Sequence, residues 1–290
     1  MAGRVDIVEV GPRDGLQNEK GAIDTPSKLR LIEQLTQAGL RRIEATAFVS
    51  PKWVPQMADH DAVMRGIPKR PDVFYSALVP NEKGAQAAIQ AGAQALAVFA
   101  SASETFARRN TNCTIAESIQ RFVPVLALAD AAGLPVRGYV SCATDCPYEG
   151  EIAPDAVLTI ARLLRQIGCN EIAVADTLGR GTPARVRAML QTVLSDVPAH
   201  SIACHFHDTG GVALENVDVA LDLGVRIFDS AAGGLGGCPY APGAAGNLRT
   251  GLLVQHLTGR GFDLGLDLDR LAVAEDFARQ LQTSANAIYR

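Results

Sequence analysis

The sequence predicts an α/β protein folded as a (β/α)8 TIM barrel with extra C-terminal helices. Three observations carry that prediction. Eight short apolar, β-rich runs are spread along 290 residues, a helical stretch follows each, and glycine recurs where those helices should stop. The runs are Asp6–Val10, Arg42–Ala47, Val73–Val79, Ala95–Phe99, Val136–Val140, Glu171–Ala175, Ser201–Phe206 and Val225–Phe228. Between them, Ser27–Ala38 (Leu29, Ile32, Leu35, Ala38) and Ala156–Ile167 (Val157, Ile160, Leu164, Ile167) repeat apolar residues at helical spacing. Gly39, Gly92, Gly133, Gly168 and Gly224 each stand between such a stretch and the next strand. Thr25-Pro26 and Thr182-Pro183 look like an N-cap followed by proline at the first helical position. Two further helices are expected over Leu268–Arg290. Residues 1–290 read as one catalytic domain, with no linker or low-complexity tract. An open doubly wound sheet is the alternative fold, but no GxGxxG follows the first strand.

Composition narrows the function. The chain is 48% hydrophobic and carries 27 basic against 31 acidic side chains, a net charge of −4 with no basic cluster. That argues against a nucleic-acid surface. No apolar run reaches the ~18 residues of a membrane span. Met1 leads straight into Val5-Asp6-Ile7-Val8, which leaves no room for a targeting peptide and predicts a cytoplasmic protein. A processed mitochondrial form would look the same. Six scattered cysteines in a chain of this size read as reduced thiols. Cys142 and Cys146 have no second pair at zinc-finger spacing, which argues against structural zinc.

Barrel enzymes carry their sites at the C-terminal ends of the strands. Here those ends hold Arg13 and Asp14 after the first strand, Glu44 in the second, Asp176 after the sixth, and His205 and His207 in the seventh. Alternation along a strand puts both imidazoles on one face, with Phe206 on the other. Two imidazoles and the Asp14 carboxylate make a seat for a divalent cation; mixed nitrogen and oxygen ligands suit Mg2+, Mn2+ or Co2+ and would tolerate zinc, with Mg2+ or Mn2+ preferred. Asp208 points away and could orient an imidazole or cap the next helix. Gly11-Pro12-Arg13-Asp14-Gly15 is a stiff turn that sets a guanidinium beside the cation, where it would stabilise an enolate. A carboxylate buried at Glu44 needs a partner, and Arg13 is the nearest candidate. The glycine-rich run 233–246 follows the last strand and could close over a ligand. Cys238 at its tip is a candidate proton donor or nucleophile, and Asn247 offers a neutral oxygen ligand. The other five cysteines read as core residues.

Together these motifs resemble the 3-hydroxy-3-methylglutaryl-CoA lyases over almost the whole chain. The likeness is densest in 8–20, in 48–57, in Arg137-Gly138-Tyr139-Val140-Ser141-Cys142 and in the Gly-Gly-Cys-Pro-Tyr loop. The long glycine loop with its cysteine is specific to these lyases. The Arg-Asp and HxH pairs are shared with a wider group of metal-dependent Claisen-type barrels, including isopropylmalate and homocitrate synthases. The resemblance implies cleavage of 3-hydroxy-3-methylglutaryl-CoA to acetyl-CoA and acetoacetate, through a metal-bound alkoxide and a thioester enolate. It implies metal ligation by Asp14, His205, His207 and Asn247. It implies catalytic roles for Arg13, Asp14, Glu44, Asp176, His205 and Cys238, with Lys20 helping to hold the acyl-CoA.

The sequence departs from the animal enzymes in three places. Ala47 stands where they have serine, Phe206 replaces a small residue, and the chain reaches Arg290 without a C-terminal cysteine used by some relatives for thiol regulation. Ala45, Ala47 and Ala241 would leave room for a longer substrate such as 3-hydroxy-3-isohexenylglutaryl-CoA, which is the alternative reading. A synthase running the chemistry forward usually has an added C-terminal segment, and this sequence shows none. A homodimer is expected, since a barrel of this size often buries one face.

Overall fold

The eight predicted runs form the eight staves of one closed parallel barrel. Its order around the ring is β1-β10-β9-β8-β5-β4-β3-β2. The strands are β1 (Asp6–Glu9), β2 (Arg42–Ala47), β3 (Phe74–Leu78), β4 (Ala95–Ser101) and β5 (Val136–Ser141), followed by β8 (Glu171–Asp176), β9 (Ile202–Phe206) and β10 (Ile227–Ser230). Between β5 and β8 lies a small antiparallel hairpin of β6 (Asp145–Cys146) and β7 (Gly150–Glu151), which the sequence did not suggest. This computed structural model describes residues 3–19, 21–236 and 246–287, with side chains to 283.

The helical layer comprises α1 (Thr25–Gln37), α2 (His60–Gly66), α3 (Glu82–Gln90), α4 (Glu104–Thr111), α5 (Ile115–Ala131), α6 (Pro154–Gln166), α7 (Pro183–Leu194), α8 (Ala213–Asp222), α9 (Thr250–Gly259) and α10 (Leu268–Ala287). The five stop glycines all adopt positive φ, from 66° at Gly133 to 112° at Gly168. Thr182 caps α7 as expected, its hydroxyl accepting from the Arg185 amide, with Pro183 opening the helix. The start of α1 lies one residue earlier than the Thr25-Pro26 reading. Asp24 is the cap, accepting from the Ser27 amide at 2.9 Å, and a carboxylate is at least as good an acceptor there as a threonine hydroxyl. The C-terminal segment also differs from the two helices expected. A single helix runs from Leu268 to Ala287, because no glycine or proline interrupts that stretch. None of the described helices is long and apolar enough to cross a membrane.

Packing against the helices decides which way each strand presents its side chains. A Cβ added to Gly138 would lie 3.1 Å from both Leu164 Cδ1 and Cys169 Sγ, so this position faces α6 and lets it approach the sheet. Its neighbours Arg137 and Tyr139 are thereby turned toward the barrel interior. In β2 the register with β3 slips between Glu44 and Thr46, a bulge that re-aims the side chains at the site end of the strand. Val157, Ile160, Ala161 and Leu164 form the fully or nearly fully buried stripe of α6. Leu164→Ala should cost about 2–5 kcal/mol through lost transfer energy and the cavity left under β5. The denaturant midpoint reports that loss, and an unchanged midpoint would remove this contact from the core.

Candidate active site

The chain leaves β1 through a single π-helical turn, Gly11–Gly15, in which the Gly15, Asp14 and Arg13 amides all converge on the Val10 carbonyl. Such turns are rare and recur at functional sites. This one projects Arg13 and Asp14 from adjacent positions over the barrel mouth. Close backbone contact holds it there: a Cβ on Gly15 would come within 2.6 Å of Leu235 Cβ. Opposite, a Cβ on Gly236 would come within 2.7 Å of Asn247 Nδ2 and 3.0 Å of the Gly15 Cα. Only glycines allow the two segments to pass so near each other.

Asp14, His205 and His207 each offer a ligand atom, and the three atoms all lie within 4.8 Å of one another. The residues are thus able to hold a divalent metal. Two further observations fit that use. His205 directs Nδ1 to Asp229 Oδ2 at 3.1 Å, the pattern by which a carboxylate orients a metal-binding imidazole and leaves its other nitrogen for the ion. Nδ1 of His207 is buried without a hydrogen-bond partner among the described residues, as expected of an atom awaiting a ligand. Burial, seconded by the neighbouring His205, pushes the His207 pKa down to about 4, against the opposing pull of Asp14. The imidazole is therefore neutral and able to donate a lone pair at pH 7. Burial works against the charge of Asp14, but Arg13, His205 and His207 outweigh it and hold this carboxyl below its ordinary range.

Asn247 is the fourth expected ligand. Its side chain reaches the cluster, with Nδ2 donating to Asp14 Oδ2 at 2.9 Å and to the Leu235 carbonyl at 3.1 Å. An antiparallel bridge to His207 fixes its backbone. Arg13 pairs with Glu44 through Nε and with Asp14 through Nη1, and its side chain is only 7% exposed. Glu44 is therefore the partner of Arg13, as the sequence required. Burial opposes the Arg13 charge, yet Glu44 and Asp14 more than offset it and raise the pKa above its ordinary value. Phe206 is buried and lies in register with Asp176, whereas His205 lies beside Ala175, so Phe206 turns away from the imidazoles.

Asp176, also an expected catalytic residue, is not one of the groups whose ligand atoms lie within 4.8 Å of one another in the Asp14–His205–His207 cluster. Its carboxylate accepts from Thr144 Oγ1 at 2.6 Å and from the Gly181 and Arg180 amides, and so anchors the turn after β8. Asp208 takes the capping option, accepting from the Ala213 amide at the start of α8. Cys238, Lys20 and Ala241 lie outside the described residues. The five described cysteines are free and buried, as read from the sequence.

Arg137, Tyr139 and Asp229 are the residues that sequence reasoning missed. Arg137 Nη2 donates to Asp229 Oδ1 at 2.6 Å and Nη1 to Tyr139 Oη at 3.1 Å, while the tyrosine hydroxyl donates to Glu44 Oε2 at 3.1 Å. A continuous buried chain thus runs Asp14–Arg13–Glu44–Tyr139–Arg137–Asp229–His205. The available signal was polar residues two apart on an apolar strand at 137 and 139, and a lone acid within Ile227–Ser230. Glu9 is a fourth, fully buried, with burial pushing its pKa up to about 7.

The sequence from 4 to 278 matches the HMGL-like family model. The chain belongs to this family. Among HMGL-like relatives, the mitochondrial hydroxymethylglutaryl-CoA lyase of Rattus norvegicus is 55% identical over 277 residues, 96% of this chain and 85% of the relative. An HMG-CoA lyase structure from Brucella melitensis superposes with a TM-score of 0.96 at 54% identity, covering 97% of this chain and 100% of the other. One from Acinetobacter baumannii, in complex with coenzyme A and 3-methylmalate, gives 0.91 at 38% identity, covering 97% and 92%.

Two outcomes follow for the HMGL-like site. In metal-free protein, the NMR signals of His207 should stay in the neutral state from pH 8 to pH 5 and titrate near pH 4. Since the unfolded imidazole protonates first, near pH 6.5, the stability contributed is present above that pH and falls away as pH drops through 4. Titration of His207 near 6.5 would contradict the buried geometry. Asp229→Asn should weaken divalent-metal binding by about 10–100-fold, read by calorimetry, because His205 loses its charged orienting partner.

Proposed function

We propose that this chain is a metal-dependent carbon–carbon lyase that cleaves 3-hydroxy-3-methylglutaryl-CoA to acetyl-CoA and acetoacetate. The observation that carries the reading is the cluster of Asp14, His205 and His207 beside the Arg13–Glu44 pair, in a member of the HMGL-like family. The substrate follows from the relatives, which are named as lyases of this thioester, one of them seen with coenzyme A. Those names favour the methyl-bearing substrate over the longer 3-hydroxy-3-isohexenylglutaryl-CoA.

Asp14, His205, His207 and Asn247 would hold the divalent ion, Mg2+ or Mn2+ by the hardness of the donor set. When bound, such an ion supplies positive charge that makes a substrate hydroxyl more acidic. The protein's own groups do the rest. His205 or Asp14 takes the proton from the tertiary hydroxyl, and the oxygen's electrons form the carbonyl of acetoacetate. The C2–C3 bond breaks, and its electron pair stays on the acetyl-CoA side as an enolate. Arg13 donates to the enolate oxygen, held in place by Glu44, which Tyr139 supports in turn. Cys238 then gives its proton to the enolate carbon. Asp176 contributes by fixing the 176–181 turn. Lys20 holds the acyl-CoA; the Gln56 side chain donates to the Glu19 and Gly21 carbonyls.

The test is acetoacetate release from 3-hydroxy-3-methylglutaryl-CoA under reducing conditions, with EDTA and then with Mg2+ or Mn2+ restored. EDTA should abolish turnover and metal should restore it. No release with either ion would overturn the reading. Arg13→Lys should keep fold and metal but lose on the order of 10^2–10^3 in kcat, since a point charge cannot replace a guanidinium fork held by two carboxylates. Near-normal turnover would remove Arg13 from the mechanism. We place this activity in a single domain spanning 1–290, in a cytoplasmic homodimer; cell fractionation and sedimentation equilibrium test the last two points.

A further inference from the structure

Glu9 lies beneath the site, fully buried on β1, and takes no part in the chemistry described above. Its carboxylate gathers three segments that are far apart in sequence. Oε1 accepts from the Gly11 amide at 2.8 Å and from the Ala232 amide at 2.9 Å, and Oε2 accepts from Thr250 Oγ1 at 2.6 Å. Gly11 opens the π-helical turn that carries Arg13 and Asp14. Ala232 opens the short turn leading to Leu235, whose carbonyl accepts from Asn247 Nδ2. Thr250 is three residues beyond Asn247 and begins α9. Each arm of Glu9 therefore ends on a segment that places one or more site residues.

Glu275 provides the contrast. It is buried on α10 and accepts from the Gly251 amide at 2.7 Å and the Gly233 amide at 3.4 Å, besides pairing with Arg249. It braces the same two later segments from behind but does not reach the 11–15 turn. Among these carboxylates, Glu9 alone joins Arg13 and Asp14 to the stem of Asn247.

We propose that Glu9 is a positioning residue that sets the spacing of Asp14 and Asn247 against the two histidines, through its hydrogen bonds to Gly11, Ala232 and Thr250. The inference rests on the metal-site reading above. What counts is an acceptor of the right length. A glutamine could take both amides on Oε1 and donate from Nε2 to Thr250 Oγ1, which then gives its hydrogen to Ser230 Oγ, 2.9 Å away. An alanine leaves the Gly11 and Ala232 amides buried without an acceptor and removes the tie to Thr250.

The experiment compares the parent, Glu9→Ala and Glu9→Gln by amide hydrogen exchange without metal and by Mn2+ binding followed by electron paramagnetic resonance. Glu9→Ala should exchange faster at both 11–15 and 246–250, and should bind Mn2+ about tenfold more weakly, by analogy with other supporting residues of metal sites. Glu9→Gln should stay within about threefold of the parent in Mn2+ affinity, which a role based on charge would not allow. Parental exchange in Glu9→Ala, or a loss in Glu9→Gln as large as in Glu9→Ala, overturns the proposal. If Glu9→Ala does not fold, Thr250→Val decides: faster exchange confined to 246–250 with weaker Mn2+ binding supports the bracing, and parental behaviour overturns it. A parent that binds no Mn2+ would defeat the metal-site reading, while the exchange data would still decide whether Glu9 braces the three segments.

Discussion

Arg13 is a guanidinium withdrawn from water inside a barrel, and the arrangement of charge around it governs the rest of the site. Removing such a group from water is costly unless carboxylates surround it. Glu44 and Asp14 do so directly. Arg137 is treated in the same way by Asp229, and its second acid, Glu171, is shared with Arg42. With Arg42 and Glu171 set against each other, two arginines face three carboxylates: Arg13 and Arg137 against Asp14, Glu44 and Asp229. This chain of groups is left one negative charge in excess, at the end where Asp14 meets His205 and His207. That excess favours a cation at this end of the chain of groups. Its place is thus set by the same electrostatics that allow an arginine to be buried there.

The barrel topology is what makes such a balance attainable. Residues 14, 44, 139, 205, 229 and 247 are scattered over most of the chain, but ring closure sets the first strand, β1, beside the last, β10, which in turn pairs with β9. Asp229 pairs in register with His205 on one side and with Val8 on the other. Their side chains share one face, and the His205–Asp229 hydrogen bond follows from that register. The π-helical turn after β1 adds the remaining few ångströms by carrying Asp14 back over the mouth. Glycine appears where backbones must nearly touch, at Gly15 and Gly236.

Much of this was legible in the sequence because the signals are local. Alternation in β9 put His205 and His207 on one face, the five glycines ended their helices, and the need of Glu44 for a cation pointed to Arg13. The failures came where a local signal had competitors. Asp24 and Thr25 are both good caps, and the backbone chose the former. Arg137, Tyr139 and Asp229 were passed over because each is an isolated polar residue in an apolar run, and their partners are brought by other strands.

The sequence by itself determined the alternation of strand and helix, the places where each element ends, and the residue types able to bind a cation and steady an enolate. Those follow from periodicity, backbone preference and donor chemistry, which act over a few residues. Only the tertiary structure decided which acids face the cluster, which arginine each one balances, and that Glu9 ties three distant segments together. These depend on strand register and ring closure, where a shift of one residue sends a side chain to the opposite face.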